Sequence, residues 1–156
     1  MSDTIYTSGD IIVYRSQIDK LLKSEYLDTN HIDTFGNFLV EKSQLCPSLY
    51  EPFLFVSSLY WIIKFIFSLC QAYHAFKVDT TRYISYITKE SVSAANLMLV
   101  PIIEQSHWTL LVGNLKIKVW DFYDSLPKKT HIPVIPEVIF HIYEEIRNSF
   151  ETDIRV

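Results

Sequence analysis

Three β-forming runs crowded into one short stretch constrain this chain more than any other feature. Leu97-Met98-Leu99-Val100-Pro101-Ile102-Ile103 is apolar and strand-like in length. Trp108 to Leu115 and Ile117 to Tyr123 follow at once, both rich in β-branched and aromatic residues. The last two runs are apolar on both faces, the pattern of inner strands covered by helices. Upstream, Ile11 to Lys42 reads as helix-forming after a turn at Ser8-Gly9-Asp10, with Ile18, Leu21 and Leu22 on one face. Asp28 or Thr29 can cap a second helix carrying Ile32, Phe35, Phe38 and Leu39, and Pro47 and Pro52 bracket a break. Asp79 to Ser91 is polar, helical or loop-like. Beyond Pro127, Pro133 and Pro136, Glu137 to Phe150 reads as an amphipathic helix lined by Val138, Ile139, Ile142 and Ile146. Helices, then a strand cluster, then a helix predict an α+β fold. A chain of 156 residues predicts one domain, 1–156, around one core.

Phe53 to Cys70 is unlike the rest, an apolar run broken by one charge, Lys64. It is close to the minimum of about 17–20 residues that crosses a bilayer, but a central lysine costs roughly 2.5–3.5 kcal/mol there. A buried core helix is the expectation. A membrane span is the alternative, and a mistranslated or retained non-coding stretch is a third.

Composition narrows the chemistry. Nearly half the residues are hydrophobic (49%), which points to a folded core rather than disorder. A net charge of -4 supplies no basic face for nucleic acid. Cys46 and Cys70 form no CxxC and read as free thiols, and the polar start Met1-Ser2-Asp3-Thr4 has no secretory pattern. An intracellular compartment, nuclear or cytoplasmic, is therefore expected. His31, His74, His131 and His141 match no zinc spacing and read as surface or core histidines. The three glycines are scattered, so no phosphate loop is present, and neither a metal nor a cofactor is expected.

His107 and Asp124 are the residues with chemical potential. They stand at the outer ends of two successive strands joined near Asn114-Leu115-Lys116-Ile117. A hairpin centred between Leu115 and Lys116 pairs them directly, with Cβ atoms about 4.5–5.5 Å apart. The same register sets Asp121 against Leu110 on the other face. A carboxylate that holds an imidazole in one tautomer is half of a nucleophile-activating triad. A structural His–Asp pair at a strand edge is the plainer alternative.

The surrounding residues supply a resemblance. Val100-Pro101-Ile102-Ile103, then His107-Trp108-Thr109-Leu110-Leu111-Val112, then Trp120-Asp121-Phe122-Tyr123-Asp124-Ser125-Leu126 resembles the central block of the ubiquitin-like-modifier (SUMO-type) cysteine proteases. That family has a Pro-Ile/Val strand, a His-Trp pair opening the next strand, and an Asp-Ser-Leu/Met closing the hairpin. Tyr26-Leu27-Asp28-Thr29-Asn30-His31-Ile32-Asp33 is similar to its segment in which an aromatic, usually Trp, precedes Leu and opens a helix. The resemblance implies a papain-like fold, a mixed sheet flanked by helices. It implies His107 as general base, Asp124 as its orienting acid, and Trp108 and Tyr26 as opposed lids over the modifier's Gly-Gly tail. The partner it implies is a SUMO-type modifier or its conjugates, cleaved after the terminal Gly.

The family's oxyanion Gln and nucleophilic Cys, in an Asn-Gly-x-Asp-Cys-Gly-like motif, have no counterpart here. Cys46 and Cys70 lie near no such motif. The expectation is a domain without its nucleophile-bearing part, inactive as written. The alternatives are a non-catalytic modifier-binding pseudoprotease and a membrane-associated protein held by residues 53–70.

Overall fold

The β-branched and aromatic segment Ile11-Ile12-Val13-Tyr14 is a strand, where the sequence predicts the start of a helix. The computed structural model describes residues 3–8, 11–23, 25–58, 87–104, 106–126 and 134–151. They fall into two compact units, residues 1–50 and 51–156.

In the first unit β1 (Thr4–Ser8) pairs antiparallel with β2 (Ile11–Tyr14) in a register that slips between Thr4 and Tyr6. Side chains stiff at χ1 favour this extended form over a helix. Helix α1 (Arg15–Leu22) begins only where polar residues take over. Its start is secured by the buried Gln17, whose side chain accepts the Tyr14 N–H at 2.8 Å, one half of a capping box. Helix α2 (Thr29–Leu45) is capped by Asp28, which accepts the His31 N–H at 3.2 Å. His31 is a core histidine. Its Nε2–H donates to the Gln17 carbonyl at 2.9 Å, tying α2 to α1, and its Nδ1 lies 2.7 Å from Asp28 Oδ1. Burial alone raises the Asp28 pKa, but the bond from Lys20 Nζ at 3.0 Å and the His31 N–H and ring outweigh it. The carboxyl ends below its ordinary range.

The second unit contains a four-stranded mixed sheet in the order β3-β4-β5-β6. Strand β3 (Phe53–Phe55) runs parallel to β4 (Leu97–Glu104), with Phe53 beside Leu97. This corrects the predicted core helix at its start, since a continuous apolar run does not distinguish a buried strand from a buried helix. Residues 59–70 of that run, including Lys64 and Cys70, lie outside the described residues, as do His74, His131 and residues 79–86. Helix α3 (Lys89–Ala94), capped by Thr88, leads into β4. Strand β5 (His107–Asn114) and β6 (Val119–Tyr123) follow antiparallel, and α4 (Val134–Glu151) ends the described chain.

Alternation along the strands puts Met98, Val100, Ile102 and Leu111 on one face, all buried. Val138 and Ile142 of α4, four residues apart, complete this core together with Val56 and Ile87. Strand β6 is not apolar on both faces as predicted. It alternates, with Val119, Asp121 and Tyr123 exposed and Trp120 and Phe122 turned inward. The fold is α+β.

Candidate functional site

Two turns carry the site. Glu104 pairs with His107, so β4 and β5 join across a tight connection, in which Ser106 takes φ 63. His107 is thus the first residue of β5. The second turn, Leu115 to Lys118, is longer than the sequence suggested. Asn114 Oδ1 accepts the N–H groups of Lys116 and Ile117 at 3.1 and 3.2 Å, and Lys118 takes φ 56.

That turn moves the register. Leu110 pairs with Tyr123 and Val112 with Asp121, two residues from the predicted alignment. Continuing the ladder past Tyr123 sets Asp124 opposite Thr109, a diagonal neighbour of His107 rather than its direct partner. A shift of two preserves the face, and diagonal neighbours are still within reach of long side chains. His107 Nε2 lies 2.6 Å from Asp124 Oδ1.

The pair is well sheltered, with side-chain exposures of 17% for His107 and 5% for Asp124. Asp124 Oδ1 also accepts the Leu126 N–H at 2.8 Å, an Asx turn that aims the carboxylate. This second anchor was not drawn from the sequence, although Asp-Ser-Leu carries the signal: an Asp whose side chain accepts the N–H two residues on. Because an ionised carboxylate only accepts, the hydrogen bond requires His107 to carry its proton on Nε2. Nδ1 is then the ring atom that carries the acceptor lone pair.

Trp108 follows on the opposite face of the sheet, half-buried and paired with Ile103. Tyr26 belongs to the first unit, in the segment between α1 and α2, and is 87% exposed. Cys46 also belongs to the first unit. It is the C-cap of α2, its N–H donating to the Lys42 carbonyl at 3.0 Å. That places it at the C-terminal end of a helix, away from the helix N-terminus that a nucleophilic cysteine favours. Among the described residues no group of three or more His, Cys, Asp or Glu side chains is arranged to hold a metal, and no helix is long and apolar enough to cross a membrane.

No protein-family model matches the chain, and no curated protein does either.

Proposed function

We propose that the second unit is the base-and-acid portion of a papain-like, SUMO-type cysteine peptidase domain. His107 is the general base and Asp124 the acid that orients it. The observation that carries this reading is the 2.6 Å bond between His107 Nε2 and a nearly buried Asp124 carboxylate, itself aimed by the Leu126 N–H. A carboxylate so placed fixes the tautomer and stabilises the imidazolium formed when a thiol is deprotonated. Trp108, next to the base, is the lid over the modifier's Gly-Gly tail.

Cys46 caps the C-terminal end of α2 and Cys70 stands in no Asn-Gly-x-Asp-Cys-Gly-like motif of the sequence, so these 156 residues are expected to bind the modifier without cleaving it. The test is a titration of the isotopically labelled chain with a SUMO-type modifier, followed by NMR, beside a fluorogenic assay on a modifier C-terminal amide. The expected result is saturable binding, weakened about tenfold by Trp108→Ala as for loss of a central aromatic contact, with no fluorophore release. Absence of saturable binding, or binding indifferent to Trp108→Ala, overturns the reading.

A further inference from the structure

At the turn end of β5 and β6, about 20 Å along the strand from His107, lies a concavity. It encloses about 380 Å³ between the Leu115–Lys118 turn and α4. Trp120 is among the residues that line it. The indole meets the Tyr143 ring edge-on, with centroids 6.2 Å apart and planes at 76°. Its Nε1–H donates to the Tyr143 hydroxyl at 3.3 Å. Val92 and Leu115 add an apolar wall, and Lys118 and Arg147 bring two positive charges to the rim. Tyr143 and Arg147 lie four residues apart on α4, and hence on the same side of it.

We propose that this cleft binds a small organic anion, an aromatic or aliphatic body carrying one carboxylate or phosphate. The hydrogen-bonding groups decide the sign of the ligand. Asn114 spends its carbonyl oxygen on the turn, leaving its amide N–H groups. The Tyr143 hydroxyl accepts from the indole, leaving its own proton to donate. Lys118 only donates, and Arg147, which has a partner of its own, adds its charge. Among the described residues lining the cleft none is acidic, in a chain whose net charge is -4. An electron-rich group therefore meets donors, and the body attached to it meets the indole, Val92 and Leu115. The volume is near the lower end of ligand pockets, about 300–1,000 Å³, which suits a ligand of one ring.

The experiment is an NMR titration of the full chain, following the Trp120 indole N–H and the Gly113 and Lys118 amides. The probes are phenyl phosphate, 3-phenylpropionate, inorganic phosphate and benzyl alcohol. The proposal expects saturable shifts with at least one aromatic anion, weaker binding of inorganic phosphate, and none of benzyl alcohol. Binding of phenyl phosphate alone assigns the phosphate class, and of 3-phenylpropionate alone the carboxylate class. Lys118→Gln and Arg147→Gln should each weaken it about fivefold, as should raising the salt, because both cations are exposed and screened. Unchanged Met98 and Leu111 resonances in the variants certify the fold. Absence of shifts with both aromatic anions, or shifts of full affinity in the double variant, overturns the proposal.

Discussion

Gly113 and Trp120 stand directly opposite each other across β5 and β6, and the indole occupies the space that a side chain on Gly113 would need. A Cβ at position 113 would meet three carbons of the Trp120 ring at 2.6, 2.7 and 2.9 Å. The glycine is therefore a packing requirement. An aromatic ring laid over a strand glycine also restores some of the contact that the missing side chain gives up.

Gly113→Ala should destabilise the second unit by about 1–3 kcal/mol, the usual cost of forcing extra atoms into a packed site. Adding Trp120→Leu should recover part of that loss, because the atoms the new methyl meets are gone. Chemical denaturation of the single and double variants measures the coupling. Strict additivity would mean that the indole moves aside at no cost.

The His107–Asp124 bond makes a prediction about proton position. The neutral His107 ring should be the Nε2–H tautomer, seen in long-range ¹H–¹⁵N correlations. In Asp124→Ala that preference should fall. The variant should also lose about 1–3 kcal/mol, since the Leu126 N–H and the sheltered imidazole both lose their acceptor. An unchanged tautomer ratio would count against Asp124 as the orienting acid.

Most of this arrangement was legible in the sequence, and its errors have physical causes. Strands β4 and β5, helix α4 and the Asp28 cap follow from apolar pattern and capping chemistry. The β5–β6 register differs from the sequence expectation because an asparagine side chain and a left-handed lysine hold the turn, with no Asn-Gly pair to mark it. His107 and Asp124 still meet because the error was an even number of residues. Ile11–Tyr14 and Phe53–Phe55 are strands within stretches whose sequence predicts helix, because a short apolar run carries no period of its own.

Asp28 links the first unit to pH. Its folded pKa is below the ordinary carboxylate value, so the stabilisation it supplies is complete above about pH 4 and is lost as pH falls through the folded pKa. Asp28→Asn keeps a good N-cap but removes the charge. It should cost less than about 1 kcal/mol at pH 7, because Lys20 and Asp28 are both partly exposed. The gap from wild type should close on acidification towards pH 2. A gap independent of pH would assign the effect to packing.

Ile142 is fully buried against the sheet. Ile142→Ala should cost about 2–5 kcal/mol, with the spread set by how far α4 can settle into the cavity. Thermal denaturation followed through Trp120, which packs against the same core, reports it. A loss under about 1 kcal/mol would mean that α4 contributes little to the core.

The parallel pairing of Phe53 with Leu97 also sets an order of events during folding. The β4–β5 and β5–β6 ladders join neighbours across short turns, whereas β3 and β4 meet from more than forty residues apart in the chain. Closing the longer loop carries an extra entropic cost of about 2 kcal/mol. The antiparallel three-stranded meander should therefore zip first, and β3 should dock late onto the finished edge of β4. Substitutions in Phe53–Phe55 should then speed unfolding while leaving the refolding rate nearly unchanged.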